Sequence, residues 1–338
     1  MRPRRFVDRP PEHRFHVPLN QGRRGLGEDN IAETQPRRQC PAGTIDAQGG
    51  RDSLPDMKPV GQTIVRILWG TLAVAVIASL EGCGTEPPVP SADREVLLTF
   101  YEALAGDEWR RNDNWATDAP LDEWHGVTTG AEGNVIGLDL YENNLAGPLP
   151  PAIGNLQHLE DLSLDRNYDM TGPIPPEIGN LRNLTGLGAY GSQLMGPIPP
   201  ELGNLRNLVG LGLNHNELTG PIPSEIGNLQ DLEVLYLNSN ELTGPIPPEI
   251  GNLHRLEFLW LYNNGLTGPI PPEIGNLQNL ESLWLNDNQL TGRLPRELMA
   301  IPLTSFKWSG TDLCAPTDTA FQSWLSSIGH HWPGRNCE

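Results

Sequence analysis

The chain has 338 residues, enough for two or three ordinary domains, but glycine and proline make up about a fifth of it and recur at fixed spacing. Disordered chains scatter these residues without a period, so the spacing excludes disorder and predicts a repetitive fold. Residues 84–338 carry 11 basic and 33 acidic residues, a balance that repels phosphate backbones and excludes nucleic acid as a partner.

The first 56 residues carry no hydrophobic periodicity and are rich in Arg, Pro and Gly. The segment that follows has the form of a signal peptide, which belongs at an N-terminus. We therefore expect translation to begin at Met57 and residues 1–56 to be a spurious extension. The alternative is a disordered cytoplasmic tail, in which Cys40 is incidental. A peptide from this stretch in the native protein would contradict the first interpretation.

Residues 57–83 have the three parts of a secretory signal peptide: a basic start, an uncharged apolar run and a short end with small residues. The apolar run, residues 67–80, is shorter than the roughly 20 residues that span a membrane. The signal segment ends in Leu-Glu-Gly-Cys at residues 80–83. This ending resembles the lipobox of bacterial lipoproteins and implies lipidation of Cys83. The alternative is an uncleaved membrane anchor. Residues 84–93 form a Pro-rich tether, so we expect an exported protein held at the cell envelope, and otherwise a single-pass membrane or secreted protein.

Residues 135–312 nearly repeat every 24 residues, with the general form LxxLxLxxNxLxGxIPxxIGNLxx. The units, called coils 1 to 8 below, begin at Val135, Leu159, Leu184, Leu208, Leu232, Leu256, Leu280 and, in degenerate form, Leu303. The alternation of leucines predicts a short strand with leucines inward, and the strands of successive coils are expected to pair in parallel into one continuous sheet. The ninth position of most coils is Asn, which is expected to satisfy backbone groups in the turn after the strand. These residues are Asn143, Asn167, Asn216, Asn240, Asn264 and Asn288.

The repeat resembles the plant-type class of leucine-rich repeats over about 180 residues in seven good copies. The resemblance implies an α/β solenoid, a right-handed stack of coils with short parallel strands on its concave face and helical caps. Plant receptors of this class carry a kinase after a membrane span; this chain has no kinase motif and resembles only their sensing half. Coil 2 has an extra residue after Asn167, and coil 3 has Ala189 and Ser192 where Leu and Asn are expected. We expect a local bulge or a loosened ladder there.

Residues 94–134 are expected to cap the first coil. The apolar run Val96–Leu104 predicts a helix, and three tryptophans follow it in a stretch that resembles the N-terminal cap of plant-type repeat proteins. They are Trp109, Trp115 and Trp124. The cysteine pair that brackets this region in many of those proteins is absent, so we expect the cap to hold by aromatic burial alone.

Residues 313–338 are expected to form the second cap. Four apolar residues at helical spacing predict a helix face that covers the last coil. They are Phe321, Trp324, Leu325 and Ile328. Cys314 and Cys337 flank this helix and are expected to form a disulfide, which belongs to an oxidising compartment and agrees with export. Two free thiols, the alternative, would weaken the case for export.

The sequence contains no recognisable catalytic arrangement. Its histidines are scattered, and the metalloprotease, hydrolase and kinase motifs are missing from it. We therefore predict a non-enzymatic protein with no cofactor and no metal. One position on the predicted convex side is acidic in five coils, and we expect this row to be a solvated face rather than a calcium site. The row is Glu177, Glu201, Glu225, Glu249 and Glu273.

The outward positions of each predicted strand are the third, fifth, seventh and eighth of the coil. At the fifth position, coils 1 to 4 carry small or polar residues and coils 5 to 7 carry aromatic ones. With two neighbours, these are predicted to form one exposed ligand-binding patch: Tyr236, Phe258, Trp260, Tyr262 and Trp284. Polar residues surround it: Asn214, His215, Asn238, Asn263, Asn286 and Asp287. Large exposed apolar patches mark interaction sites; the alternative is that the rings stack on one another only to stabilise the sheet.

The predicted function is a non-enzymatic recognition module at the cell surface that binds a protein, a peptide or a polysaccharide on the concave face. Aromatic residues beside amides and acids suit both sugar rings and peptides, so the sequence leaves the ligand class open. The alternative function is a passive envelope or adhesion spacer without a specific ligand. The sequence gives no indication of the oligomeric state.

Overall fold

The structure, a computed structural model, describes residues 92–338. The predictions for residues 1–56, for the signal peptide, for Cys83 and for nearly all of the tether lie outside the described residues. Within residues 92–338 no helix combines the length and the apolar character that a membrane crossing needs. The predicted α/β solenoid is present, with many short parallel strands and few helices.

The strands that begin the eight coils form one continuous sheet, as predicted, and one strand from each cap extends it to ten strands. Its strands are Val127–Thr129, Val135–Asp139, Asp161–Ser163, Gly186–Gly188, Gly210–Gly212, Val234–Tyr236, Phe258–Trp260, Ser282–Trp284, Ser305–Lys307 and His330–Trp332. The first strand comes from the N-terminal cap and pairs antiparallel. The coils pair in parallel in the register of the repeat, so that Tyr236, Trp260 and Trp284 are direct neighbours. We call the outward surface of this sheet the sheet face.

A second set of strands, which was not predicted, follows the Asn turn of each coil. Seven form one sheet: Met195–Pro197, Glu217–Gly220, Glu241–Gly244, Gly265–Gly268, Gln289–Arg293, Asp312–Ala315 and Arg335–Asn336. Two pair separately: Ala146–Pro148 and Asp169–Thr171. The interruption falls between coils 2 and 3, where the irregularity was expected. The ten-stranded sheet keeps its register through the same coils.

The inward leucines are buried, and the ninth-position asparagines bind the backbone as predicted. The amide nitrogen of Asn240 donates to the carbonyl oxygens of Leu213 and Leu237 at 2.9 and 3.0 Å. Its amide oxygen accepts from the N–H of Leu218 at 3.1 Å. In coil 3, the hydroxyl of Ser192 donates to one carbonyl of coil 2 at 2.8 Å. Each asparagine thus links its own turn to the preceding coil.

The IPxxIGNL segments form short 3₁₀ helices, which were not predicted. They are Pro151–Asn155, Pro176–Asn180, Pro200–Asn204, Ser224–Asn228, Pro248–Asn252, Pro272–Asn276 and, in coil 7, Arg296–Ala300. Proline suits the first turn, where its missing N–H is not needed. In coils 1 to 6 the glycine of the helix lies against the next coil: a Cβ added to Gly203 would stand 2.4 Å from the carbonyl oxygen of Glu225. Glycine therefore sets how closely the coils stack.

The N-terminal cap contains helix α1, Ala92–Ala103, and the short 3₁₀ helices Gly106–Glu108 and Leu121–Glu123. The three predicted tryptophans are buried and contact one another. Each indole N–H also donates to a backbone carbonyl. The guanidinium of Arg94 lies 5.0 Å from the ring of Trp124 and donates to two further carbonyls. The expectation that aromatic burial alone holds this cap was wrong, because buried indole N–H groups need acceptors.

The C-terminal cap contains helix α2, Thr319–Ser327, whose N-cap residue Asp318 accepts a hydrogen bond from the N–H of Phe321 at 3.2 Å. Of the predicted helix face, three residues are buried and Trp324 is half-buried; Ile328 lies just beyond the helix. A disulfide joins Cys314 and Cys337, as predicted. The cap also adds one strand to each sheet, which the sequence did not indicate.

Candidate ligand-binding surface

Three aromatic rings at the fifth position of coils 5, 6 and 7 stack face to face across the sheet face. The ring centroids of Tyr236 and Trp260 are 4.1 Å apart and those of Trp260 and Trp284 are 4.2 Å apart, with interplanar angles of 15° and 3°. The Nζ atom of Lys307 in coil 8 lies 3.6 Å from the Trp284 ring centroid. We call Tyr236, Trp260, Trp284 and Lys307 the aromatic column. The parallel register, which places these residues on adjacent strands, produces it.

The polar atoms of the column's indoles are bonded within the sheet. The Nε1–H of Trp260 donates to the hydroxyl of Ser282 at 3.0 Å, and that of Trp284 donates to the hydroxyl of Ser305 at 2.8 Å. In each case the acceptor stands at the third position of the next coil. These bonds fix the plane of each indole, so the column is a rigid, preorganised ridge.

The five predicted site residues do lie together, but they are half-buried, which corrects the expectation of an exposed patch. The cause is the stacking itself: both faces of Trp260 are covered by neighbouring rings, and both faces of Trp284 are covered by Trp260 and Lys307. Tyr262 stands beside the column with its ring centroid 5.8 Å from that of Trp284. The ring edges, rather than the ring faces, are what the column presents to solvent.

The two tyrosine hydroxyls of the patch stay protonated at neutral pH. Burial raises the pKa of Tyr236 to about 12. Burial also raises the pKa of Tyr262; Tyr190 adds to the rise, and a hydrogen bond with the side chain of Asn238 opposes it. Both hydroxyls are therefore neutral at neutral pH.

The six polar residues predicted around the patch divide into two groups. His215, Asn263 and Asp287 are exposed and Asn214 is half-buried. The other two are buried: Asn238 is 1% exposed and Asn286 is 8% exposed. The amide of Asn238 lies against the hydroxyl of Tyr262 and lowers its pKa, whereas the buried oxygen of Asn286 has no hydrogen-bond partner within the described residues.

A second cluster on the sheet face was not predicted from the sequence. The guanidinium of Arg166 in coil 2 lies 5.5 Å from the ring of Tyr141 and 5.9 Å from the ring of Tyr190, the seventh-position residues of coils 1 and 3. It also lies 3.9 Å from the carboxylate of Glu142. The sequence does contain a signal for this cluster: the coils before and after that of Arg166 both carry a tyrosine at the seventh position.

Beside this cluster stands Asp165, a carboxylate that is 4% exposed. Burial raises its pKa to about 6, although its oxygen accepts a hydrogen bond from the N–H of Tyr190 at 2.7 Å. The nearby carboxylates of Asp139 and Asp161 add to the rise. A Cβ added to Gly188 on the next coil would stand 2.9 Å from the same oxygen, so glycine is required there.

Two other surfaces carry regular rows of side chains. The predicted row of glutamates lies on the 3₁₀ helices, and the described residues contain no group of three potential metal ligands. The second sheet carries a row of threonines that are mostly exposed: Thr219, Thr243, Thr267 and Thr291. An open cleft along this row is lined by Thr267, Thr291, Thr311 and Asp312, among others.

Comparison with known families agrees with this geometry. The model of a leucine-rich repeat region matches residues 200–301, and that of a single leucine-rich repeat matches residues 134–156. The matched segments are leucine-rich repeats, and the described residues have the fold of a leucine-rich-repeat solenoid. The repeats resemble those of plant receptor ectodomains, as the following relatives illustrate.

A probable leucine-rich-repeat receptor-like serine/threonine-protein kinase of Arabidopsis thaliana is 36% identical over 77 residues, which is 22% of this chain and 8% of the relative. The crystal structure of a TDR receptor is 34% identical with a TM-score of 0.51, covering 53% of this chain and 31% of that one. The crystal structure of a plant ice-binding protein is 26% identical with a TM-score of 0.54, covering 73% of this chain and 97% of that one. The chain thus spans a small part of the two receptors' length.

Proposed function

We propose that this leucine-rich-repeat protein is a non-enzymatic recognition module that binds a peptide along the aromatic column. The observation that carries the proposal is the closed stacking of the column. A pyranose ring binds aromatic side chains through their faces, and the faces of Trp260 and Trp284 are already covered. The ring edges remain, and these suit the apolar side chains of a peptide.

The rigidity of the column supports a binding role. Its rings are held by stacking and by hydrogen bonds to Ser282 and Ser305, so little side-chain entropy is lost when a partner packs against them. Trp and Tyr dominate the binding energy of protein interfaces for the same reason. A passive spacer has no need of a half-buried aromatic ridge on the outward side of a sheet whose core is already filled by leucine.

The test is selection of peptides from a random twelve-residue display library on the full-length protein, followed by affinity measurement with Trp260→Leu/Trp284→Leu. We expect this variant to bind the selected peptides roughly 30-fold more weakly. Trp324→Leu, at a half-buried tryptophan of the C-terminal cap, is the matched control and should bind as the parent does. If the library yields no binder and an array of cell-envelope glycans does, the ligand is a polysaccharide; if neither yields one, the spacer function stands.

We further propose that the protein is exported and anchored by a lipid at Cys83. The disulfide between Cys314 and Cys337 supports export, because such bonds persist in oxidising compartments. Intact-mass measurement of the native protein tests the anchor: a mature chain that begins with a lipidated Cys83 is expected, and an unmodified N-terminus upstream of Cys83 would contradict it.

A second candidate function is ice binding through the threonine row of the second sheet. The row is regular. Its hydroxyl and methyl groups repeat on successive coils and form an array that can match the ordered water molecules of an ice surface. The similarity to a plant ice-binding protein over 97% of that chain supports this candidate. Ice-recrystallisation assays decide it: Thr243→Lys/Thr267→Lys should abolish inhibition and Trp260→Leu/Trp284→Leu should leave it intact.

A further inference from the structure

Three tyrosines surround one arginine on coils 1 to 3. The rings of Tyr141 and Tyr190 lie 5.5 and 5.9 Å from the central guanidinium carbon of Arg166. The ring of Tyr168 lies over coil 3, where a Cβ added to Gly191 would stand 3.4 Å from its Cε1 atom. We call Tyr141, Arg166, Tyr168 and Tyr190 the tyrosine–arginine cluster. It shares no residue with the aromatic column, which begins two coils further along the chain.

The guanidinium of Arg166 is held in place by rings rather than by hydrogen bonds. Aromatic rings attract a cation through their faces, and this attraction occupies none of its N–H donors. The nearest carboxylate oxygen, that of Glu142, is 3.9 Å from the guanidinium, which is beyond hydrogen-bond distance. Glu142 is instead paired with Arg110 at 2.9 Å. Within residues 92–338 no atom accepts a hydrogen bond from the Arg166 side chain, so its donors are available to a ligand.

A ligand can reach the cluster as the structure stands. The side chain of Arg166 is 31% exposed, and Tyr168 is 51% exposed. No side chain therefore has to move to admit a partner. Tyr and Arg are also the residues that, together with Trp, supply most of the binding energy at protein interfaces. An exposed arginine held between tyrosines indicates an interaction site.

The charge of Arg166 is not cancelled by its surroundings. Burial alone would lower the pKa of Arg166, but the three tyrosines of the cluster and Glu142 raise it, so the group is always a cation. The neighbouring carboxylate of Asp165 is 4% exposed and accepts a hydrogen bond from the N–H of Tyr190 rather than from Arg166. Glu142 divides its charge between Arg166 and Arg110. Two arginines thus share one accessible carboxylate, and this balance favours an anionic ligand.

We propose that the tyrosine–arginine cluster is a binding site separate from the column, which receives the carboxylate of an Asp or Glu side chain on a protein partner. The planar fork of the guanidinium matches the two oxygens of a carboxylate. The hydroxyls of the flanking tyrosines supply further donors beside it. A peptide group offers a single carbonyl oxygen and no charge, so it uses this donor set less fully. The site goes beyond the peptide-binding function of the column and does not depend on it.

The experiment selects ligands for this site alone. A twelve-residue display library is first cleared on Arg166→Gln/Trp260→Leu/Trp284→Leu and then selected on Trp260→Leu/Trp284→Leu. We expect the enriched peptides to share an Asp or a Glu. When they are synthesised with an amidated C-terminus, replacement of this acid by its amide should weaken binding to the parent protein about tenfold. Arg166→Gln should weaken binding as much. Arg110→Gln is the matched control, because Arg110 also pairs with Glu142, and it should bind as the parent does.

A charge exchange separates direct contact from an effect on folding. Arg166→Glu should prefer, by roughly tenfold, peptides in which the shared acid is replaced by Lys. The proposal is overturned if no peptide is enriched, if the enriched peptides share Lys or Arg instead of an acid, or if Arg166→Gln and Arg110→Gln lose binding equally. A selected peptide that binds much better as the free C-terminal acid than as the amide would also overturn it, since the terminal carboxylate would then be the ligand. The function of the column is tested on separate peptides and stands or falls alone.

Discussion

Single residues at equivalent repeat positions have different energetic roles in this protein. The seventh position carries Asp165 in coil 2 and Tyr190 in coil 3, and both side chains point to the sheet face. Asp165 is buried between the coils because Gly188 leaves room for its carboxylate. A carboxylate in that environment keeps its proton to a higher pH than an exposed one. The fold therefore disfavours the charged form of Asp165.

Asp165→Asn is therefore expected to alter how stability depends on pH. Burial raises the folded pKa from 3.8 to about 6, so the folded chain holds a proton that the unfolded chain releases between these values. Its stability falls as pH rises through this window. The asparagine oxygen still accepts the N–H of Tyr190. Urea unfolding should find the variant more stable at pH 7, by up to about 3 kcal/mol, and the gap should shrink below about 1 kcal/mol near pH 4.

The exposed Asp312→Asn serves as the control for that series. It removes one exposed carboxylate without removing a buried charge, and we expect its stability to follow that of the parent at each pH. An Asp165→Asn effect of the same size at pH 4 and pH 7 would show that packing, and not ionisation, separates the variant from the parent.

At the scale of elements, the close stacking of the 3₁₀ helices depends on one glycine in each of coils 1 to 6. In coil 3 this glycine is Gly203, whose added Cβ would lie 2.4 Å from the carbonyl oxygen of Glu225 and 2.8 Å from its Cβ. Backbone cannot yield as the end of a flexible side chain can, so neighbouring coils must separate to admit a methyl group. The separation would also stretch hydrogen bonds on either side.

Gly203→Ala should lower the free energy of unfolding by about 1–3 kcal/mol, measured by urea denaturation. Gly329→Ala is the matched control, because the nearest atom to its added Cβ is 3.9 Å away and no left-handed backbone is involved. We expect the control to stay within about 0.5 kcal/mol of the parent. Equal losses in the two variants would show that the contact with Glu225 does not cause the effect.

The elements also mark where sequence reasoning succeeded and where it stopped. The sheet strands of the eight coils and their register followed from leucines that alternate and recur every 24 residues, whereas the two strands that the caps add did not. The second sheet did not, because strands such as Met195–Pro197 and Glu217–Gly220 are short and contain glycine or proline, which sheets disfavour. Five-residue 3₁₀ helices are too short to leave a periodic pattern.

The sequence predicted which residues form the candidate site, but it did not predict how their side chains are arranged. Repeat alignment placed Tyr236, Trp260 and Trp284 side by side, and the register agrees. Ring orientation depends on side-chain torsions and on the serines of the next coil, which alignment does not describe. The exposure of these rings was overestimated because the alignment does not show how they stack. The burial of Asn238 was missed because an outward position in the repeat does not show whether a neighbouring side chain covers it.

At the scale of the whole molecule, each coil contacts mainly the coils beside it, so function and stability divide along the chain. The column occupies coils 5 to 8, whereas the Arg166 cluster occupies coils 1 to 3. Stability in such a stack is the sum of the coils and of the contacts between neighbours. One coil can then be removed without loss of the fold, provided that the flanking coils rejoin in register.

Two deletions of equal length use this property to locate binding. Deletion of residues 208–231 removes coil 4, and deletion of residues 256–279 removes coil 6; each takes out 24 residues and joins the strand-forming leucines of its neighbours in register. Both variants should fold with a lower urea midpoint, because each loses one interface between coils. Only the second removes Phe258, Trp260 and Tyr262. Peptides selected on the parent should therefore bind the coil 4 deletion with nearly the parent's affinity and should fail to bind the coil 6 deletion, whereas equal losses in both would place the binding surface outside the aromatic column.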